Sequence, residues 1–250
     1  MAAVLPYLEE VSALKIRMKF TKTGTMRFIG HLDIMRYFQK LMRRAKVDIK
    51  YSEGFNPHQV MSFAQPLGLG DTSEGEYVDI EVLSTETSEE MLRRINACTG
   101  EEIQVRSWVR IADETRRSNA MSLIAAADYL IFARHGKLDP AAIEAMMAQE
   151  EIRVVRKTKK KEEEADIRPM IYQWEMRGDA LFVQLATGSA GNCKPDAVMD
   201  AYDAFRGVES EPFAYHFHRL EMYARQEDQL IPMDALGDPV LEAVPRAEEK

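Results

Sequence analysis

The order of two hydrophobic periodicities near the start of the chain most constrains its fold. Residues 14–20, LKIRMKF, alternate strictly between apolar and basic side chains, which is typical of a half-buried β-strand. Residues 31–46 then repeat apolar side chains at Ile34, Phe38, Leu41 and Ala45, the spacing of an amphipathic helix. The chain is therefore predicted to begin with a strand and a helix that covers one face of a sheet.

Further strand and helix patterns follow in an order that predicts two copies of one unit. Strands near 47–51, 59–64, 77–83 and 102–111, with a helix at 88–97, complete the order β-α-β-β-α-β. After a polar joint at 113–119 the order recurs, with strands at 129–134, 152–157, 181–187 and 213–223 and helices at 140–148 and 195–205. We therefore predict an α+β fold of two tandem ferredoxin-like (βαββαβ) modules, residues 12–112 and 120–225, followed by a mobile acidic C-terminal tail, residues 226–250.

The composition indicates an ordinary globular protein. Of the 250 residues 46% are hydrophobic and 30% are charged, and no apolar run approaches the roughly 20 residues that cross a bilayer. The first residues lack the basic region of a secretory signal. Cys98 and Cys193 lie far apart and in no CxxC pattern, which excludes a cysteine-ligated iron–sulfur cluster built by this chain alone. We expect a cytoplasmic protein with no membrane partner, no bound metal and no cofactor of its own.

Charge is distributed unevenly along the chain. Residues 12–70 hold 11 Lys and Arg against Asp33, Asp48 and Glu53, a local charge of +8 in a chain of formal net charge −8. Such a split predicts that this part meets an anion. The cations are densest on the polar face of the first helix, at Arg36, Lys40, Arg43 and Arg44. This face is predicted to bind phosphate, and a merely solvated helix face is the equally weighted alternative.

The loop YSEGFNPHQ, residues 51–59, is the second candidate element of a site. Asn56-Pro57 favours a turn, and His58 brings a titratable imidazole. Because His31 begins the basic helix a short way upstream, we predict that His31, Asn56 and His58 line one ligand contact. A catalytic His31–His58 pair and a turn that only satisfies its own backbone remain as alternatives. A metal site has weak support, since no third Cys or His ligand accompanies the pair.

The sheet face of the first module offers a further hypothesis. Lys15 and Arg17 are expected to face outward and to be neutralised by Asp79 and Glu81 as cross-strand pairs. Trp108 is expected on the same face. There it would stack on a base, as aromatic side chains do in RNA-recognition modules, or anchor the second module.

Four sequence blocks resemble a known family: RFIGHLDIMRYFQKLMRRA, YSEGFNPHQVMSFAQPLGLGDTSEGEYVDIE, KTKKKEEEADIRPMI and GSAGNCKPDAVM. They are similar to the radical SAM-linked protein family, a bacterial domain of unknown function that is fused to, or encoded beside, a radical SAM protein with a cobalamin-binding-like region. The resemblance covers about residues 14–220, with Gln59 where the family often has a second proline. It implies a radical SAM partner carrying an iron–sulfur cluster and S-adenosylmethionine. Because the activity of the family is not established, the resemblance assigns no catalytic residues to this chain.

The resemblance and the basic helix together favour one function over two others. Family members occur near RNA-processing and ribosomal genes, which implies an RNA substrate. The first hypothesis is an accessory subunit of a radical SAM system that binds and presents a substrate, RNA. The alternatives are a stand-alone RNA-processing or RNA-modifying enzyme centred on His31 and His58, and a protein-binding adaptor whose basic helix docks on an acidic partner.

Overall fold

The computed structural model describes residues 13–112, 119–157, 162–188 and 191–247. Its helices are α1 (His31–Arg44), α2 (Ser88–Asn96), α3 (Ala120–Leu123), α4 (Pro140–Met147) and α5 (Pro195–Phe205). Its strands are β1 (Leu14–Lys22), β2 (Met61–Phe63), β3 (Thr72–Val82), β4 (Val105–Arg110), β5 (Ile124–Ala133), β6 (Arg153–Lys157), β7 (Glu162–Asp166), β8 (Ile171–Arg177), β9 (Ala180–Ala186), β10 (Tyr215–Gln226), β11 (Gln229–Pro232) and β12 (Asp238–Pro239). Among these helices, none is long and apolar enough to cross a bilayer.

One ten-stranded mixed sheet runs through both halves of the chain. Its order is β12-β4-β1-β3-β10-β5-β9-β8, with β2 added to β3 and β11 added to β10. In the first half, β4-β1-β3-β2 is antiparallel throughout, and so is β10-β5-β9-β8 in the second. The halves join where β3 and β10 run parallel, with Thr72 opposite His218 and Ser73 opposite Arg219. The predicted α+β class is confirmed.

Each half has its own hydrophobic core between the sheet and its helices. In the first half, the alternating residues Ile16, Met18 and Phe20 of β1 are buried under α1. The Phe20 ring packs on Phe38 of α1 at a centroid distance of 4.5 Å and on Phe63 of β2 at 6.1 Å. Each such buried side chain stabilises the fold by about 1.5–3 kcal/mol, so this cluster fixes α1 and β2 against the sheet.

The close approach of β3 to β10 depends on Gly75. A Cβ atom at this position would lie 2.7 Å from the carbonyl oxygen of Leu220 and 2.9 Å from the Cα of Glu221. Both of these atoms belong to the backbone, which cannot turn aside as a flexible side chain does. Gly75 therefore allows the two halves to share one sheet.

The second half differs from its predicted strand assignment. The segment predicted as its second strand, 152–157, lies in β6, which pairs with β7 in a separate hairpin. The sheet position is taken instead by β8, which the sequence did not predict. A register shift between Ile171 and Gln173 interrupts the alternation of β8, which explains the miss. Most of the predicted joint, residues 113–118, lies outside the described residues.

The prediction of a mobile C-terminal tail is wrong for residues 229–247. β11 pairs with β10, β12 pairs with β4, and Val244 forms a bridge with Thr85. The apolar side chains of Met233 and Val240 are buried, which anchors this acidic segment to the sheet. The prediction rested on the acidic composition of this segment and gave no weight to its few apolar residues. Residues 248–250 lie outside the described part of the chain.

The segment that follows β11 covers the sheet face that was expected to be open. The expected cross-strand pair exists: the Arg17 guanidinium donates to both carboxylate oxygens of Asp79 at 2.8 and 2.9 Å, and to the carbonyl of Met233 at 3.1 Å. The expected position of Trp108 is wrong, since this side chain is buried in the first core and donates to the hydroxyl of Thr85 at 3.2 Å. A register shift in the pairing of β1 with β4 places both Val105 and Trp108 on the core side. This face therefore offers no stacking platform at Trp108.

Candidate functional site

Helix α1 presents its four predicted phosphate-binding cations to solvent. Asp33 in the first turn and Arg43 and Arg44 in the last turn both suit the helix dipole. The apolar residues of α1 are buried, whereas Arg36, Lys40, Arg43 and Arg44 are exposed. At 3.6 residues per turn these four positions fall within an arc of about 100° on the side away from the sheet. We call these four residues the basic arc.

Few carboxylates neutralise the basic arc. Arg36 donates to Asp33 at 3.0 Å, but both side chains are largely exposed, and such pairs contribute about 0–1 kcal/mol. The Arg44 guanidinium lies over the Tyr37 ring, 5.8 Å from its centroid. Within the described ranges, no acidic side chain forms an ion pair with Lys40 or Arg43. The arc is therefore available to an external anion.

Three of the seven remaining cations of residues 12–70 are paired with carboxylates of the sheet. Arg17 is buried against Asp79, Lys19 pairs with Glu221, and Lys50 lies 3.2 Å from Glu81. The sum of +8 thus does not describe a single face. The largely exposed cations of residues 12–70 are those of the basic arc and Lys46, which lies two residues after the end of α1.

The loop of residues 52–58 projects beside the middle of α1. The hydroxyl of Ser52 lies 2.7 Å from Nδ1 of His58 and accepts the backbone N–H of His58 at 3.1 Å, which closes the loop at its base. Gln59, which follows, donates its side-chain amide to the carbonyl of Gln39 in α1 at 3.3 Å. At the tip, Phe55 is fully exposed to solvent and Asn56 is exposed. The base of the loop is therefore attached to α1 at Gln39, and its tip is left in solvent.

His31 does not join Asn56 and His58. Its ring packs edge-on against Phe63, with 5.6 Å between the ring centroids. Gln39, which fixes the base of the loop, is eight residues further along α1, or about 12 Å at 1.5 Å per residue. The extended chain from residue 59 to residue 63 runs beside α1 and so carries His58 away from the start of the helix. The sequence prediction of one contact lined by all three residues is therefore not supported by this arrangement.

The surroundings of His31 contain charged residues that the sequence analysis missed. A cavity of about 20 Å³ is lined by His31, Lys22 and Glu76, and it is closed by residues 64–67. Glu76 accepts a hydrogen bond from buried Arg219 at 2.9 Å, and Arg219 also donates to the hydroxyl of Tyr129 at 3.2 Å. Sequence reasoning could not find this group, because Glu76 and Arg219 are 143 residues apart and meet only where β3 joins β10.

Burial shifts the protonation equilibria of this group in opposite directions. Burial lowers the pKa of the Lys22 ammonium, and the carboxylates of Glu76 and Asp71 only partly offset the effect. Burial raises the pKa of the Glu76 carboxyl, against the opposing attraction of Arg219. In both cases the cause is the cost of holding a charge away from water.

A larger cavity of about 460 Å³ lies on the far side of the glycine-rich residues 66–70. Its wall carries Asp71, Asp196, Asp200 and Glu211 against the single cation Arg134. The pKa of Asp71 is raised to about 6. Burial is the main cause, and repulsion by the neighbouring Asp196 carboxylate is the second. Its acidic wall makes this cavity a poor site for phosphate. In the part of the chain that the structure describes, no three His, Cys, Asp or Glu side chains are grouped to hold a metal ion.

Fold and surface together define an α+β protein with a basic, anion-facing helix beside a projecting loop. The chain belongs to the family described as uncharacterized protein conserved in bacteria (DUF2344), whose model matches residues 15–195. No curated protein sequence matches the chain.

Two solved structures show a limited similarity to the chain. One is from the crystal structure of a Cbf5-Nop10-Gar1 complex, with 12% identity and a TM-score of 0.45 over 85% of this chain and 50% of that chain. The other is from an H/ACA RNP bound to a substrate RNA containing 2'-deoxyuridine, with 10% identity and a TM-score of 0.41 over 82% of this chain and 46% of that chain. The protein thus spans about half the length of either chain. At these TM-scores the likeness carries no argument about function.

Proposed function

We propose that this protein is an accessory subunit that binds RNA and presents it to a radical SAM partner. The observation that carries the proposal is the exposed basic arc of α1, bordered by the loop of residues 52–58. A row of cations attracts phosphates, and Arg forks bind them with directed hydrogen bonds. The exposed Phe55 ring at the loop tip suits stacking on an unpaired base.

The negative charge of the rest of the chain favours RNA binding at one surface only. The formal net charge is −8, although residues 12–70 carry +8. The acidic cavity beside residues 66–70 also repels phosphate. RNA that meets this protein is therefore directed to α1 and the adjacent loop, where His58 and Asn56 are the polar contacts beside Phe55.

The partner role rests on the resemblance of the GHLD block, residues 30–33, and the GFNPH block, residues 54–58, to the radical SAM-linked family. In this proposal the partner supplies the iron–sulfur cluster and S-adenosylmethionine, and this chain supplies the RNA-binding surface. The separation of His31 from His58 argues against the rival proposal of an enzyme centred on that pair.

The architecture that we infer for this role is a tandem of two ferredoxin-like units. The matching orders β4-β1-β3-β2 and β10-β5-β9-β8 support it, with the β6–β7 hairpin as an insertion in the second unit. In such a tandem, α1 and the helix-side surface of the first unit carry the ligand. The second unit and the acidic cavity remain for contact with the protein partner.

The proposal is tested by fluorescence anisotropy with an unstructured, labelled RNA oligonucleotide. Arg43→Ala/Arg44→Ala removes two cations of the basic arc and is expected to weaken binding at least tenfold, at about 1 kcal/mol or more per charged contact. Arg93→Ala/Lys137→Ala removes two exposed cations elsewhere and is the matched control, with expected affinity close to that of the unaltered protein. Equal loss in both variants, or no RNA binding by the unaltered protein, contradicts the proposal.

Co-purification with the radical SAM protein tests the second half of the proposal. The two proteins are expected to associate with or without nuclease treatment, and RNA is expected to co-elute only without nuclease. Association without any RNA binding indicates the adaptor function instead. Absence of association removes the radical SAM role and leaves RNA binding to be judged by the anisotropy experiment alone.

A further inference from the structure

The last residue of β1 is a buried lysine without a direct partner. The Lys22 side chain is 4% exposed. Its ammonium forms no hydrogen bond or ion pair with the described residues, although Glu76 and Asp71 attract it from a distance. The Glu76 carboxylate is hydrogen-bonded to Arg219 instead, whose guanidinium donates to it at 2.9 Å. The Lys22 Nζ is not among the fully buried, unpartnered polar atoms of the described residues, so it keeps some contact with solvent, and an anion that reaches it there gains a charge-assisted hydrogen bond.

Helix α1 begins directly beside Lys22. Its N-cap is Gly30, which has no side chain to cap the helix, and a Cβ at Gly30 would meet nothing within 4 Å. The amides of Asp33 and Ile34 donate to the Gly30 carbonyl at 3.1 and 3.0 Å. Within the described residues, the amides of His31 and Leu32 have no such acceptor. Free amides and the positive end of the helix dipole both favour an anion at this open position.

A small cavity connects these two features. Its volume is about 20 Å³, and its lining includes Lys22, His31 and Leu67 together with Glu76, the one carboxylate among the described residues that line it. A cavity of this size holds one water-sized group. One oxygen of a larger anion therefore fits inside, while the rest of the anion stays outside, over the exposed His31 ring.

We infer that Lys22 and the N-terminus of α1 form a phosphate subsite. One phosphoryl oxygen enters the cavity to meet the Lys22 ammonium, and the others accept hydrogen bonds from the amides of His31 and Leu32. This inference rests on the proposed function, because the basic arc starts one turn further along α1 at Arg36 and continues the path of an RNA strand. The ligand chemistry is a phosphoryl group, carried either by RNA or by a free phosphate.

The nearby carboxylates differ in how strongly they repel a phosphoryl group at this site. Glu76 is held by Arg219, and Asp33 in the first turn is paired with Arg36. Asp71 approaches from the acidic cavity and accepts a hydrogen bond from the backbone of Phe217. The cations near the site are Lys22 and, two strands away in the sheet, Arg219. The formal charges of Lys22 and Arg219 balance those of Glu76 and Asp71 without the anion, so binding depends on the helix amides and the helix dipole as well as on Lys22.

The first experiment is a titration of the ¹⁵N-labelled full chain with inorganic phosphate, followed by NMR. The amides of His31 and Leu32 are expected to shift in the unaltered protein and to stay in place in Lys22→Met. Removal of an unpartnered buried charge is not expected to unfold the chain. Lys137→Met, at an exposed position, is the control and is expected to shift as the unaltered protein does.

A second pair of variants tests the helix amides without altering Lys22. His31→Pro removes one amide donor at the first helical position, where proline is well tolerated, and His31→Ala keeps that amide. Phosphate binding is expected to weaken in His31→Pro and to persist in His31→Ala. Equal phosphate response in all variants, or none in the unaltered protein, overturns the subsite.

RNA oligonucleotides with a 5′-phosphate, a 3′-phosphate or neither distinguish the sources of the phosphoryl group. Lys22→Met is expected to weaken the preferred oligonucleotide about tenfold, as expected for one charged hydrogen bond. A loss only with a terminal phosphate assigns the subsite to an RNA end, and a loss with all three assigns it to an internal phosphate. If Arg43→Ala/Arg44→Ala leaves RNA binding intact while Lys22→Met abolishes the response to inorganic phosphate, the proposed function fails and the subsite binds free phosphate.

Discussion

The raised pKa of Asp71 makes the stability of this protein depend on pH in a defined direction. Burial and Asp196 raise the folded pKa to about 6, while an unfolded Asp has a pKa of about 3.9. As the pH rises, Asp71 therefore stays protonated to a higher pH in the folded protein than in the unfolded chain. Stability from this group is full below about pH 4 and is lost as the pH rises through 6, because the ionised carboxylate is then forced into a poorly solvated position.

The substitution Asp71→Asn removes this penalty. A difference of about 2 pKa units at about 1.4 kcal/mol per unit sets an upper bound of roughly 3 kcal/mol at pH 7.5, and the expected gain is smaller because Asp71 is partly exposed in the wall of the larger cavity, where solvent screens its charge. Asn keeps an oxygen that can accept the Phe217 N–H. For a chain of 150–250 residues a gain of 1 kcal/mol raises Tm by about 2–4 °C, so Tm is expected to rise by up to about 10 °C at pH 7.5. At pH 4 the gain is expected to shrink below about 1 kcal/mol.

Thermal unfolding followed by circular dichroism at pH 4, 5, 6 and 7.5 measures the effect. Asp179→Asn, which removes an exposed carboxylate paired with Lys137, is the matched control and is expected to change Tm little at any pH. An Asp71→Asn protein that is equally stabilised at pH 4 and pH 7.5, or destabilised at pH 7.5, refutes the reasoning.

Three further substitutions have expected outcomes. Gly75→Ala places a Cβ 2.7 Å from the Leu220 carbonyl and is expected to cost about 1–3 kcal/mol in urea unfolding, whereas Gly100→Ala, with open space around it, is expected to be nearly neutral. Arg17→Met leaves the buried Asp79 carboxylate unpaired and is expected to cost about 3–5 kcal/mol; an unchanged urea midpoint contradicts this. Phe55→Ala is expected to leave Tm unchanged and to weaken RNA binding by about 1–3 kcal/mol, the loss of one stacked base; a lowered Tm shows that the ring packs on the protein.

Local periodicity predicted the elements whose partners lie nearby in the chain. Strand β1 and helix α1 follow their patterns closely, because the apolar side chains of each lie on one regular face. The exposed basic arc was predictable for the same reason, since the side of α1 away from the apolar stripe must face solvent. Irregular pairing caused the errors: shifts in register turned Trp108 inward and concealed β8.

Contacts between residues far apart in the sequence limited how much of the candidate site could be predicted from the sequence. His31 and His58 are close in sequence, but His31 packs on Phe63 at the start of α1, whereas Gln59, the neighbour of His58, contacts Gln39 about two helical turns further along. Conversely, Lys22, Glu76 and Arg219 converge only because β3 and β10 run side by side at Thr72–Ser73. Sequence spacing cannot predict contacts between residues of the two halves, because β3 and β10, the strands that join these halves, pair at only two positions.

The salt dependence of RNA binding measures directly whether the basic arc is the RNA-binding surface. Four phosphate contacts predict a slope of about −2.8 for log K against log salt concentration with a single strand, a loss of about 50-fold in affinity between 50 and 200 mM salt. Arg43→Ala/Arg44→Ala leaves two contacts and predicts a slope of about −1.4, or a loss of about sevenfold. Equal slopes for the two proteins, or a slope near zero for the unaltered protein, contradict the assignment of α1 as the surface that holds RNA.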